Sequence, residues 1–117
     1  PKRFLKKELA STSVELSLNS MPPGAEMPFI HRHRENEEIY IFLEGSGEFL
    51  ADGTVIPIND GTCIRCNPTV ERSWRNTGET PMRFLCLQGK AGSFLTGGTV
   101  RDGEIVAGKP QWESSAG

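Results

Sequence analysis

The chain has 117 residues and a formal net charge of −2, which predicts one domain with its own hydrophobic core and no basic surface for nucleic acid. No apolar run is long enough to span a bilayer and no signal-peptide pattern is present, so we expect no membrane partner. The three cysteines are an odd number, which argues against a disulfide framework and favours a reducing, cytoplasmic location.

Short runs of alternating or β-branched residues, separated by turns rich in Gly, Pro and Asn, make up most of the chain. No long segment repeats with the helical period of 3.6 residues. Residues 82–88 are so apolar that we expect that strand to be buried on both faces, and Asp52-Gly53 predicts a tight turn. Strands are predicted at residues 13–19, 28–33, 37–43, 48–51, 54–58, 62–66, 70–76 and 82–88.

The two ends of the chain are less regular. Residues 2–9 favour either a helical turn or an edge strand, and the sequence leaves both open. Residues 100–106 predict a small hairpin, and a frayed tail follows at 113–117. We therefore expect one all-β domain over residues 1–117, with a barrel core at about 12–90 and a C-terminal hairpin and tail at about 91–117.

The only two histidines, His31 and His33, are separated by one residue. In a strand, residues i and i+2 point to the same face, so both imidazoles can aim at one point. Glu38 follows shortly after, at the start of the next predicted strand. Two imidazoles and a carboxylate from neighbouring strands are a ligand set for a divalent transition metal.

Glu37 competes with Glu38 for the ligand position, because adjacent residues of a strand face opposite sides. Glu38 shares a face with Tyr40 and Phe42, so we predict that Glu38 points inward and that Glu37 is a surface charge. Tyr40 would then line the pocket beside the carboxylate.

At this point the sequence resembles the cupin family of small jelly-roll β-barrels. The first cupin motif is matched by Gly24, His31, His33, Glu38 and Gly45. The skeleton of a second motif is matched by Asp60-Gly61, Pro68 and Asn76, and the resemblance spans residues 14–88. It implies a cupin-like barrel, a homodimer, and Fe, Mn, Ni or Zn held by the two histidines and Glu38.

The second motif departs from the family pattern at one position. Where metal-binding cupins supply a further histidine, this chain has Arg72, and a guanidinium does not ligate metals. Arg72 would either grip an anionic ligand or form an ion pair with Glu38 that replaces the charge of the metal. Trp74 lies on the same strand face and is a candidate pocket residue.

Two functions are consistent with these alternatives. The first is a metal-dependent enzyme acting on a small polar or sugar-like substrate, since isomerisation and dioxygenation are the classes that the resemblance suggests. The second is a non-catalytic module that binds a small molecule and whose metal site has lapsed, with Arg72 in place of the last histidine.

The cysteines are not expected to form a site of their own. Cys63 and Cys66 make a C-x-x-C string inside a predicted strand, where the two sulfurs would point to opposite faces. We predict that both are reduced and that Cys86 belongs to the core.

Overall fold

The structure is a computed structural model that describes residues 1–94 and 102–112. In that part of the chain, short strands follow one another and a helical turn lies near the N-terminus. Residues 2–9 therefore contain both of the elements that the sequence left open. The elements are β1 (Lys2–Phe4), α1 (Lys6–Leu9), β2 (Glu15–Met21), β3 (Asn36–Glu44), β4 (Gly47–Ala51), β5 (Thr54–Ile58), β6 (Cys63–Cys66), β7 (Arg72–Asn76) and β8 (Met82–Lys90).

The strands form two antiparallel sheets whose inner faces pack together. One sheet has five strands in the order β1-β2-β8-β3-β6, and the other has three in the order β5-β4-β7. Some paired strands are consecutive, as β4 and β5 are, and others are far apart in the chain, as when β8 lies between β2 and β3. The prediction of an all-β domain is confirmed for the described residues.

Tight turns lie where the sequence places glycine, both between β4 and β5 within one sheet and between β3 and β4, which belong to different sheets. Asp52 and Gly53 both have positive φ, at 46° and 81°, as the predicted two-residue turn between β4 and β5 requires. Gly45, with φ of 103°, lies against β8, and a Cβ there would come within 2.8 Å of the Met82 Cα. Only glycine lets the chain turn at this point while staying so close to β8.

Aromatic rings fill the space between the two sheets. The centroids of neighbouring rings lie 5.0 to 6.5 Å apart, and the side chains are almost completely buried. These rings form one buried cluster with Met21, Ile58, Ile64, Cys66, Met82 and Cys86. The rings belong to Tyr40, Phe42, Phe49, Trp74 and Phe84.

Strand β8 corrects one expectation. Met82, Phe84 and Cys86 are buried, but Leu85 and Leu87 are only half-buried and Arg83 is exposed. The prediction that both faces of this strand are buried is therefore wrong. Only the inner face of the five-stranded sheet packs against the other sheet, so the outer face keeps access to solvent.

The C-terminal expectations fall partly outside the described residues. Of the predicted hairpin, residues 100–101 lie outside them, and residues 102–106 contain no strand. The predicted frayed tail at 113–117 also lies outside the described residues. No helix in residues 1–94 or 102–112 combines the length and apolar character needed to cross a membrane.

Candidate metal centre

The two histidines lie on an extended segment between β2 and β3 that runs beside β7. His31 exchanges two backbone hydrogen bonds with Arg72, each of 3.0 Å, and the His33 N–H donates to the Pro68 carbonyl at 2.8 Å. The predicted strand at residues 28–33 is wrong, because only one isolated bridge, between His31 and Arg72, forms there. Between the bridge of Glu26 with Arg75 and that of His31 with Arg72 this segment has two more residues than β7, so it bulges away from the ladder.

The imidazoles nevertheless converge with Glu38, as the spacing predicts. Nε2 of His31 and Nε2 of His33 each lie 3.3 Å from Oε1 of Glu38. One donor atom from each of the three residues falls within a set whose members are all within 4.8 Å of one another. Both histidine side chains are partly exposed whereas Glu38 is buried, so the cluster opens to solvent on the histidine side.

The strand phase after Asn36 is also as predicted. Glu38 points into the barrel, whereas Glu37 lies outside and pairs with Arg65 at 3.2 Å. β3 pairs with β6 and β8 along this whole stretch, which fixes the alternation of its side chains.

Neighbouring side chains hold Glu38 as a carboxylate. Burial alone would raise its pKa, but hydrogen bonds from His31, Tyr40 and Cys86, together with the charge of His33, lower that pKa to about 2. The Tyr40 hydroxyl donates to Oε1 and the Cys86 thiol donates to Oε2, at 3.3 Å. Burial and the adjacent carboxylate raise the pKa of Tyr40, and the same causes raise the pKa of Cys86 to about 12.

Arg72 lies beneath the cluster and is fully buried. Its Nη1 donates to the carbonyl oxygens of Pro68 and Val70 at 3.1 and 2.7 Å. Its Nη2 lies 3.4 Å from Oε1 of Glu38, but neither Nη2 nor Nε has a hydrogen-bond partner among the described residues. The guanidinium therefore faces the Glu38 carboxylate, and its Nη2 and Nε donors remain unpaired among the described residues.

The two aromatic candidates differ in their relation to the cluster. Tyr40 is buried and touches the site through its hydroxyl, which donates to Glu38. Trp74 packs its ring against His31, with ring centroids 5.8 Å apart, and so supports the imidazole from below. Both residues lie at the boundary between the polar cluster and the aromatic core.

Cys86 is the residue whose part in the cluster the sequence did not reveal, since it was predicted only as core. It pairs with Tyr40 in the register of β8 and β3, which brings its thiol to Glu38. That contact depends on the order of the strands in the sheet, which cannot be inferred from the spacing of residues along the chain. Cys63 is exposed and Cys66 buried, on opposite faces as predicted, and all three cysteines are free.

The donor spacing tests whether these residues fit a metal. Two donors at about 2.0–2.2 Å from one ion, at tetrahedral or octahedral angles, lie roughly 3–3.5 Å apart. The separations of 3.3 Å between Glu38 Oε1 and each histidine Nε2 match this spacing. The residues therefore fit a transition metal, and three protein ligands leave positions open for a small molecule.

Comparisons with known proteins agree on the family. A family model described as "Cupin domain" matches residues 17–88. An oxalate-binding protein from Thermotoga maritima is 34% identical over 85 residues, which cover 72% of this chain and 69% of that protein.

Two solved structures extend this likeness to the fold. A cupin protein from Bacteroides fragilis shares 40% identity with a TM-score of 0.85, over 92% of this chain and 90% of that one. A Thermotoga maritima structure, described as a predicted oxalate decarboxylase, shares 28% identity with a TM-score of 0.65, over 73% of each chain. The chain belongs to the cupin family, and its two packed sheets are the family's jelly-roll barrel.

Proposed function

We propose that this cupin holds a divalent transition metal at His31, His33 and Glu38 and binds a small carboxylate ligand there, beside Arg72. The observation that carries the proposal is the spacing of the three donors around Oε1 of Glu38. The Thermotoga maritima relative named as oxalate-binding supports the ligand class.

The charges of the site favour an anion. A divalent ion, the Glu38 carboxylate and the Arg72 guanidinium together have a net charge of +2 in a partly buried space. Such a charge is costly unless a ligand neutralises it, and a small dicarboxylate has the matching charge. Nη2 and Nε of Arg72 are buried beside Glu38 without a hydrogen-bond partner, so a carboxylate oxygen that enters the cluster would supply the acceptor that they lack.

The surface at the entrance to the site is also polar and charged. The histidine side opens onto a polar surface cavity of about 560 Å³ lined by Arg32, His33, Arg34, Glu35 and Asn36. The aromatic rings behind the cluster restrict the depth of the site. The ligand is therefore expected to be small and anionic.

A bound metal would supply a Lewis acid that polarises an oxygen of the ligand. In this proposal His31, His33 and Glu38 hold the metal, Arg72 orients the carboxylate, and Tyr40 keeps Glu38 in place. The isomerase and dioxygenase activities that the family resemblance suggests remain predictions about the chemistry that a bound ligand undergoes.

The test begins with untagged full-length protein purified without chelator, whose metal is measured by mass spectrometry. Oxalate binding is then measured by calorimetry with and without the metal. We expect His33→Ala to lose both metal and oxalate, and Arg72→Lys to keep the metal but bind oxalate at least tenfold more weakly. Glu37→Gln is the matched control and should change neither.

One observation favours a second candidate, a metal-free binding module. Tyr40, Cys86 and Arg72 already surround the Glu38 carboxylate with donors and positive charge. In that case the wild-type protein takes up no metal, and Arg72→His, which supplies an imidazole, gains metal binding. Metal in the wild-type protein at about one ion per chain would reject this candidate.

A further inference from the structure

A cavity lies between the two sheets, beside the aromatic core. Its volume is about 280 Å³. That volume is near the lower end of the range of roughly 300–1,000 Å³ that small-molecule sites occupy. Strands β2, β7 and β8 and the segment that follows β2 all contribute to it. Its walls include Asn19, Met21, Ala25, Met27, Trp74 and Phe84.

The strand register separates this cavity from the metal centre. Glu38 pairs with Gln88 of β8, whereas Phe84, which lines the cavity, pairs with Phe42, four residues further along β3. Four residues of a strand span about 13 Å. Asn19 of β2 pairs with Phe84 and so lies at the same level. The cavity is therefore a second candidate site, deeper in the barrel than the metal centre, and its walls include none of the three candidate metal ligands.

Two buried polar side chains belong to this mostly apolar wall. Trp74 is 5% exposed, and its Nε1 has no hydrogen-bond partner among the described residues. Asn19 is 9% exposed, and its Nδ2 donates to the carbonyl and hydroxyl oxygens of Ser17 at 3.2 and 3.0 Å. Its Oδ1 accepts no hydrogen bond from the part of the chain that the structure describes. Since unpaired polar groups in a protein interior cost free energy, a ligand that pairs with both groups would gain affinity.

We propose that this cavity binds a small neutral molecule that has an apolar body and one hydroxyl group, such as a phenol or an alcohol. A hydroxyl group is both a donor and an acceptor, so it can donate to Oδ1 of Asn19 and accept from Nε1 of Trp74. The cavity walls cover Nε1 in the structure, but Met21 and Met27 have flexible side chains that can move to admit the hydroxyl oxygen. A carboxylate fits poorly, because it cannot donate to Oδ1 and would lose its hydration.

Phenol is the probe for the first test, and the indole N–H resonances of the full chain are the readout. The chain has two tryptophans, so a ¹H–¹⁵N correlation spectrum contains two such resonances, and Trp112→Phe identifies the one that belongs to Trp74. We expect phenol to shift the Trp74 resonance until it saturates. The Trp112 resonance should not move, because Trp112 is 89% exposed and far along the chain from the barrel strands. A Trp74 resonance that does not respond to phenol would overturn the proposal.

Two variants test the space and the polar group separately. Ala25→Leu narrows the cavity and should weaken phenol binding at least tenfold, whereas Ala91→Leu, the matched control at an exposed turn, should leave it unchanged. Asn19→Leu removes Oδ1, so it should weaken phenol at least tenfold without weakening toluene, which has no hydroxyl group. Ala25→Leu keeps the test decisive if Asn19→Leu does not fold. Unchanged phenol binding in Ala25→Leu, or equal losses for phenol and toluene in Asn19→Leu, would contradict the proposal.

Competition with oxalate separates this cavity from the metal centre. In Zn²⁺-loaded protein, saturating oxalate should leave the dissociation constant of phenol unchanged, because the two sites have different walls. Displacement of phenol by oxalate would mean that phenol occupies the metal centre, and the proposal would fail. Phenol binding itself requires no metal, so the result with metal-free protein is independent of whether the proposed metal and carboxylate site exists.

Discussion

Glu37 and Glu38 are neighbours on strand β3 and each lies beside an arginine, but the two pairs differ in almost everything except distance. Glu37 and Arg65 are 3.2 Å apart on the outside of the barrel, where their side chains are 36% and 56% exposed. Glu38 and Arg72 are 3.4 Å apart on the inside, where their side chains are 5% and 0% exposed. Neighbouring carboxylates of one strand are therefore in opposite environments.

The difference shows that burial, and not the length of the ion pair, determines what a carboxylate can do. Water screens the outer pair, whose two charges would be satisfied without each other. The inner pair has only fixed protein groups around it, so Glu38 depends on Tyr40, Cys86 and the imidazoles as well as on Arg72. That same low-dielectric setting makes the cluster suitable for a metal.

The largest effect is expected when the inner pair is broken. Arg72→Ala leaves Glu38 buried without its guanidinium, which should lower the free energy of unfolding of the metal-free protein by roughly 3–5 kcal/mol. Urea unfolding with chelator present measures this loss.

Repeating the Arg72→Ala unfolding experiment with a divalent metal gives a second test of the same idea. A divalent ion at His31, His33 and Glu38 supplies positive charge, so the Arg72→Ala loss should shrink when a saturating metal is added. A near-neutral Arg72→Ala in chelator would contradict the view that Glu38 depends on this guanidinium.

The next effect is the dependence of stability on pH. The pKa of Glu38 is about 2 in the fold, because the hydrogen bonds and the His33 charge outweigh burial, and 4.5 is its ordinary value. A lowered folded-state pKa stabilises the fold above pH 4.5, and that stabilisation is lost as pH falls from about 4.5 towards 2. The full difference corresponds to roughly 3 kcal/mol.

Metal-free protein unfolded in urea at a series of pH values tests this dependence. In Glu38→Gln the free energy of unfolding should depend less on pH in the acidic range, because the substitution removes the titrating group. Glu37→Gln, the outer counterpart, should retain the wild-type slope. Equal slopes for the wild type and Glu38→Gln would show that Glu38 does not carry this linkage.

A smaller effect is expected for Tyr40→Phe, which keeps the aromatic ring in the core and removes the hydroxyl that donates to Glu38. Losing a hydrogen bond to a charged group should lower the free energy of unfolding by about 1.5–3 kcal/mol. The metal affinity should fall as well, since the carboxylate is less well oriented. Phe42→Leu is a control that alters the neighbouring ring without touching the cluster.

Most of the fold could be predicted from the sequence, because period-two alternation and turn residues are local signals. The alternation across Glu37 to Phe42 indicated the inward phase of β3, and Asp52-Gly53 indicated the turn between β4 and β5. The prediction for residues 28–33 was wrong, since two extra residues between the Glu26–Arg75 and His31–Arg72 bridges make this segment bulge away from β7. The prediction for the strand at 82–88 was wrong about its outer face, because sheet order decides which faces are covered.

The candidate site also has residues that could be predicted from the sequence and one contact that could not. His31, His33 and Glu38 could be grouped by spacing, and the place of Arg72 beneath them followed from the family resemblance. The contact of Cys86 with Glu38 could not be predicted, since it depends on β8 lying beside β3, with 48 positions along the chain between the two residues.

The smallest effect is expected for the outer pair, and it completes the comparison. Arg65→Ala removes the partner of Glu37, but water replaces the lost interaction, so the free energy of unfolding should change by about 0.2–1 kcal/mol. Salt should weaken even this difference, because Glu37 and Arg65 are both exposed. Urea unfolding of Arg65→Ala and the wild type at low and high salt measures it. A loss as large as that of Arg72→Ala would mean that position inside or outside the barrel does not set the value of these pairs.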